Sequence, residues 1–443
     1  MEIIKFVEDN IQYELLAIIW VLYFWELYLS LRQRKVMQDN EKYPEMLNGI
    51  LSRDLYEKSR LYELDKSSFS IFQEAYTTVT TTATLLFYGF YYFWQWGACL
   101  VSQFGIDKNN DMLVSVGFMF IYSVILTVLN LPLKVYSTFV IEEEHGFNKQ
   151  TKLFFIKDQL KKFVVSQVLT FPILCAIIWI VKNGGDYFFL YLWMFTVVVT
   201  LFLMVIYPEF IAPLFDKYSP LPEGELRKKI EELAASLDFP LYKLYVVEGS
   251  KRSSHSNAYL YGFHKNKRIV LFDTLIKEYY KPDEKDPNKE DKGCETDEVL
   301  AVLAHELGHW KYSHSIKFFI FTQISVVLNF IAFAKLLNYT PMYEAFGFED
   351  SQPIFIGLII VSMYILIPFS VPMSFIMTWT SRKFEFQADH FAKQLGRAEE
   401  LKKALLKLQK DNLGYPLHDH LYSTWHHSHP PVLQRLEVLD KSD

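Results

Sequence analysis

The sequence predicts a mainly α-helical, polytopic membrane protein with a small α+β part outside the bilayer. Three observations carry that prediction. Along the 443 residues, long runs without charge alternate with densely charged stretches, as in a chain shared between lipid and water. Seven of the apolar runs come near the roughly 20 residues that a helix needs to cross a hydrocarbon core. Lys and Arg gather on alternate loops between these runs.

The seven runs centre on 11–31, 77–101, 112–133, 163–181, 187–207, 316–337 and 353–380. The first carries Glu14 and Glu26, which at such depth should face a bundle interior or an aqueous cavity. The last contains Pro368 and Pro372 and should kink. Positive clusters follow the first run (Arg32, Arg34, Lys35), separate the third from the fourth (Lys149, Lys152, Lys157, Lys161, Lys162) and follow the seventh (Arg382, Lys383). The positive-inside rule then puts the N-terminus outside and the C-terminus in the cytoplasm, as an odd number of spans requires. Acidic residues Glu2, Glu8 and Asp9 open the chain and no small-residue cleavage site follows, so no cleavable signal peptide is expected. A formal net charge of −6 argues against nucleic acid as a partner. The three scattered cysteines, Cys99, Cys175 and Cys294, support neither a disulfide framework nor a thiolate metal site.

Between the fifth and sixth runs lies a polar region. Leu226, Ile230, Leu233 and Leu237 make Glu225–Leu237 an amphipathic helix. Leu241–Glu248, Ser253–Phe263 and Arg268–Asp273 read as short strands, the last two joined by His264-Lys265-Asn266-Lys267. Lys281–Gly293, charged and containing proline, reads as a mobile loop.

Next comes His305-Glu306-Leu307-Gly308-His309. Thr296-Asp297-Glu298 supplies a helix start with acids in its first turn. The apolar residues Val299, Leu300, Val302, Leu303 and Leu307 recur with helical spacing. On that helix His305 and His309, four residues apart, project from one face and can hold one zinc ion. Glu306 lies beside them, where a carboxylate can act as general base on water. Gly308 weakens the helix, so it is expected to serve close packing. The pattern points to zinc-dependent peptide hydrolysis at a membrane; the plain alternative is a helix with two surface histidines.

Catalytic zinc takes three protein ligands and leaves one position open. The best candidate for the third ligand lies in Arg382-Lys383-Phe384-Glu385-Phe386-Gln387-Ala388-Asp389, immediately after the seventh run and on the same side of the membrane. Glu385 could supply an oxygen ligand, and Asp389, one turn on, could orient a liganding imidazole. An ordinary charged helix beyond a membrane fits the spacing as well. A continuous helix would carry His314 some 140° off the face of His309, which argues against it as a ligand.

With these motifs the chain resembles the integral-membrane zinc CaaX prenyl proteases, along essentially its whole length. The resemblance rests on His305–His309, on Glu385-Phe386-Gln387-Ala388-Asp389 and on Ser253-Ser254-His255-Ser256-Asn257-Ala258-Tyr259-Leu260-Tyr261-Gly262. It rests also on Glu143-Glu144-His145-Gly146-Phe147-Asn148 and on His429-Pro430-Pro431 with Arg435. It implies a seven-helix barrel around a water-filled chamber, an endoplasmic reticulum or inner nuclear membrane address, and one zinc ion per chain with Glu385 as third ligand. By the same resemblance His429 contacts substrate and stabilises the oxyanion, and Asn257 and Ala258 lie along the peptide, for which an edge strand would suit. Arg435 is expected to fix the C-terminal segment beside the metal through an acid such as Asp389. The Glu143–Asn148 segment has no physical account beyond a loop over the chamber.

The chain is accordingly divided into 1–207 with five spans, 208–315 as a cytoplasmic zinc metalloprotease domain, 316–380 with two spans, and 381–443 as a region completing the site. The activity implied is removal of the last three residues of prenylated CaaX proteins, with a second upstream cut in some relatives. Two rivals remain: a membrane quality-control protease indifferent to prenylation, and a non-enzymatic scaffold or transporter with structural zinc. The latter is disfavoured because structural zinc closes all four positions, and only three ligands are evident.

Overall fold

The computed structural model describes residues 2–253, 255–262, 266–279 and 292–441, with side chains from Asn10 onward. Most of the charged Lys281–Gly293 loop, and Ser254, Phe263, His264 and Lys265 of the expected hairpin, therefore lie outside the described residues.

The chain is mainly helical. Among the described residues, five helices are long and apolar enough to cross a membrane: Asn10–Asp39, Asp111–Glu144, Lys152–Asn183, Gly185–Leu214 and His314–Leu336. Polar caps start two of them, with Asn110 accepting from Leu113 N–H and Thr151 from Phe154 N–H. A sixth crossing arises if Ile354–Ile365 and Ile367–Gln394, which meet at 61°, form one broken span. That bend falls at Leu366, immediately before Ile367-Pro368, where proline cannot donate to the preceding turn.

The expected span at 77–101 is not one helix. A helix runs Arg53–Leu86, Tyr88 takes a left-handed conformation (φ 50°), and a second helix runs Gly89–Ser102. The first of these is polar along most of its length, so the apolar run straddles the junction of two rods rather than filling one. Gly89–Ser102 instead lies against Asp111–Tyr136 through a glycine contact. A methyl on Gly117 would meet the Gly97 carbonyl oxygen at 2.7 Å, and one on Gly97 would collide with the Phe118 backbone. Such small residues allow the close helix approach that membrane packing favours.

In the sequence between Gly185–Leu214 and His314–Leu336 comes a four-stranded sheet in the order β1-β2-β4-β3, with β1 Tyr218–Pro220, β2 Leu241–Val247, β3 Ala258–Tyr261 and β4 Lys267–Phe272. β2 and β4 are parallel; β1 and β3 flank them antiparallel, leaving β3 at an edge. β1 escaped the sequence reading because three residues, one a proline, carry no alternation. The sheet, the helix Glu225–Ser236, the helix Thr296–Lys311 and the helix Ala398–Asp411 share one core, containing Ile230, Ile269, Leu271, Leu300, Leu303, Leu307, Leu401 and Leu405. Burial there holds the histidine-bearing helix rigid against the edge strand.

Candidate metal centre and active site

The helix Thr296–Lys311 starts with a reciprocal capping box between Glu295 and Glu298, which satisfies its first free N–H groups. Its whole inner face is buried, from Val299 to Gly308. The helix Ile367–Gln394 crosses it at Gly308: a methyl there would sit 3.0 Å from Ala388 Cα. That close crossing brings Glu385 and Asp389, i and i+4 on one face, against His305 and His309.

Glu385 Oε2 lies 3.4 Å from His305 Nε2, Glu385 Oε1 lies 3.2 Å from His309 Nε2, and the two imidazole Nε2 atoms are 3.1 Å apart. One ligand atom of each residue falls within 4.8 Å of the others. Two facing imidazole nitrogens share at most one hydrogen, so one of them turns a bare lone pair toward the Glu385 carboxylate. Glu385 Oε2 is buried and takes no well-directed hydrogen bond, although His429 Nδ1 is 2.8 Å away. Nitrogen, nitrogen and carboxylate oxygen converging without mutual satisfaction suit zinc.

Behind the cluster, Asp389 is fully buried; its Oδ2 accepts from Arg435 Nε (2.8 Å) and its Oδ1 from Arg435 Nη2 (2.6 Å), with His305 Nδ1 2.8 Å from the same Oδ1. If Nε2 of His305 faces a metal, Nδ1 carries the hydrogen and donates to Asp389, which locks the ring. Arg435 Nη2, 3.3 Å from Nδ1, then makes a charge contact rather than a hydrogen bond. Burial and the Arg435 charge oppose a proton on His305, but hydrogen bonds to Asp389 and Glu385 outweigh them and raise its pKa to about 9. The same partners that hold a proton on His305 would hold a cation.

Glu306 is half-buried beside His305, and the His429 side chain is largely exposed at the mouth of the cluster. Asn257 precedes edge strand β3; its carbonyl accepts from Phe272 N–H and its side chain from Ala258 N–H. Ala258 is buried in the core shared with the histidine helix, so that helix and the edge strand stand side by side.

Several contributors escaped the sequence. The helix ends at Tyr312, Ser313 is left-handed (φ 56°), and a new helix begins at His314. This break, which a continuous helix lacks, returns His314 to the back of His309, its Nδ1 2.9 Å from His309 Nδ1. His314 Nε2 contacts Gln387 Oε1 at 2.9 Å, and its ring stacks on Phe384 at 3.9 Å. His314 therefore backs a candidate ligand without joining the donor set. His390, the residue after Asp389, lies 3.0 Å from Gln394 Nε2 through its own Nε2. The strap that carries His429 is pinned to the first membrane helix. Arg32 grips Asp419 with two hydrogen bonds, and Glu26 accepts from Trp425 Nε1 at 2.8 Å with His426 Nε2 3.1 Å away. Glu26, a charge within an apolar run, thus has a protein partner.

A family model described as CAAX prenyl protease N-terminal, five membrane helices, matches residues 33–217, and one described as peptidase family M48 matches residues 220–443. The chain is 49% identical to the CAAX prenyl protease 1 homolog of Mus musculus, over 95% of this chain and 93% of that one. It is 36% identical to CAAX prenyl protease 1 of Saccharomyces cerevisiae, over 94% and 92%. The crystal structure of S. mikatae Ste24p matches with a TM-score of 0.86 at 36% identity, covering 97% of this chain and 98% of that one.

Proposed function

The chain belongs to the CAAX prenyl proteases of peptidase family M48, multi-pass membrane metalloproteases, and we propose that it cuts prenylated CaaX proteins after the prenylated cysteine, releasing the last three residues. The observation that carries this reading is the convergence of His305, His309 and Glu385 beside Glu306, in a chain related along its length to CAAX prenyl proteases. His305, His309 and Glu385 are the residues that would hold one zinc ion. When bound, zinc supplies a Lewis acid that polarises a carbonyl and makes water more acidic.

The side chains do the rest. Glu306 takes a proton from the attacking water and hands it to the departing amide nitrogen, so charge separation in the transition state is avoided. His429, exposed at the mouth, donates a hydrogen bond to the carbonyl oxygen as negative charge develops on it. The Ala258 main chain, on the open sheet edge, and the adjoining Asn257 side chain hold the peptide extended by strand addition. Asp389 and Arg435 keep His305 in one orientation.

The proposed setting is the endoplasmic reticulum membrane, with the N-terminus lumenal and the C-terminus cytoplasmic. Seven crossings would line a chamber there, the residues around Tyr88 forming one broken crossing. Residues 208–315 and 381–443 then form the cytoplasmic catalytic part between and after the spans at 1–207 and 316–380. Basic residues after the first and last spans support this orientation. Matched farnesylated and unfarnesylated CaaX peptides, with and without a zinc chelator, test the reading by mass spectrometry. Chelator-sensitive loss of three residues from the farnesylated peptide alone is expected. Equal cutting of both peptides at scattered sites would instead indicate a quality-control protease.

A further inference from the structure

The Glu143–Asn148 segment, unexplained by its sequence, reaches the peptide edge through His255. β3 begins only at Ala258, and its last ladder bond upstream is Phe272 N–H to the Asn257 carbonyl. Residues 255 and 256 have left the sheet, so the path of the chain into Asn257 is set by side chains.

Those side chains come from three directions. The Phe147 ring, almost fully buried, stacks under the His255 imidazole with centroids 4.1 Å apart and planes 11° from parallel. Glu142 Oε2 lies 3.5 Å from His255 Nε2, while its Oε1 accepts from Tyr62 OH at 2.7 Å. On the opposite side Asn412 Oδ1 accepts from Ser256 N–H at 3.0 Å and lies 3.2 Å from His255 Nδ1. Because that oxygen must accept from Ser256, Nδ1 carries its own hydrogen and donates as well. Thr274 Oγ1 donates to the His255 carbonyl at 2.9 Å. Asn148 pairs with Ser253 as an antiparallel bridge, and Lys149 N–H donates to the Arg252 carbonyl, extending the grip upstream.

We propose that Glu142–Asn148 and Asn412 form a clamp on His255 that positions the Asn257–Ala258 edge for the peptide, making His255 and Phe147 positioning residues for substrate binding. The inference rests on the reading that this edge takes the peptide. An edge strand free to splay would bind an extended chain poorly while leaving the metal-binding residues and Glu306 in place. The clamp therefore governs KM rather than the chemical step.

The test is steady-state cleavage of a farnesylated CaaX peptide by the full-length protein, with zinc content measured alongside. His255→Ala should raise KM about tenfold, the scale of one lost hydrogen bond or ring contact, with kcat and zinc content within about twofold. His255→Phe keeps the stack on Phe147 and should recover part of the loss. Phe147→Ala should resemble His255→Ala, and the double variant should be little worse than either, since both remove one contact. A fall in kcat at unchanged KM, a loss of zinc, or an unchanged KM for His255→Ala overturns the clamp. Should Phe147→Ala not fold, the half-exposed His255 and its Phe rescue still decide. Wild-type protein that leaves the peptide intact would overturn the protease reading itself, a result distinct from active wild type with an indifferent His255→Ala.

Discussion

Replacing Arg435 with Met exposes how the candidate metal site is supported. Asp389 is fully buried, and Arg435 satisfies it with two hydrogen bonds of 2.6 and 2.8 Å. Removing the guanidinium leaves a buried carboxylate with His305 as its remaining side-chain partner. Breaking one side of a buried pair costs about 3–5 kcal/mol, because the surviving charge stays desolvated. Asp389→Asn on its own leaves Arg435 with Glu385, 3.6 Å from its Nη1, as its nearest carboxylate. The double variant removes both charges, so its cost should fall short of the sum by about 2–3 kcal/mol. Loss of a group that orients a liganding imidazole also weakens metal binding by about 10–100-fold. Thermal unfolding of the four proteins in detergent gives the coupling, and competition with a fluorescent zinc chelator gives the affinity. Additivity within about 0.5 kcal/mol, or Arg435→Met with unchanged zinc affinity, would refute the assignment of this pair as the support of His305.

Two further predictions follow from the same geometry. Glu306→Ala should retain zinc and lose cleavage, whereas His305→Ala should lose both; normal turnover by Glu306→Ala would remove Glu306 as the base. The strap carrying His429 should be acid-sensitive. Burial pushes His418 down to about 4, and burial together with the charge of His418 and Arg382 does the same to His427. Both stay neutral in the fold while the unfolded chain protonates near 6.5. The stability that they contribute is whole above pH 6.5 and is lost as pH falls from there toward about 4. Each histidine carries up to about 3 kcal/mol of that loss. The unfolding temperature should drop over this interval, and His418→Gln should flatten the drop; identical pH profiles would refute it.

Much of the architecture was legible because it is written in short-range pattern. The histidine helix, the helix from Glu225, and strands β2 and β4 follow from spacing within windows of about a dozen residues. Runs of lipid-compatible length announce, for a similar reason, the five helices long and apolar enough to cross a membrane and the bent pair Ile354–Ile365 and Ile367–Gln394, since hydrocarbon excludes charge whatever the neighbours do. The family likeness rested on five short motifs, and a chain related to CAAX prenyl proteases over 95% of its length agrees with it. From spacing alone, Glu385 was a candidate ligand among alternatives, because its distance from His305 depends on how two helices cross at Gly308 and Ala388.

What the sequence by itself determined is the partition of the chain between lipid and water, the local helices and strands, and the chemistry that two histidines and a glutamate can perform on one helical face. Tertiary structure decided which distant groups meet. It broke the 77–101 run at Tyr88 and turned His314 behind His309 by breaking the helix at the left-handed Ser313. It pinned the C-terminal strap to Arg32 and Glu26, and set the Glu143–Asn148 segment under His255. Pattern within one element reports which face is apolar. Contacts between elements depend on backbone breaks and close crossings whose energies are shared across many residues, and no local window contains them.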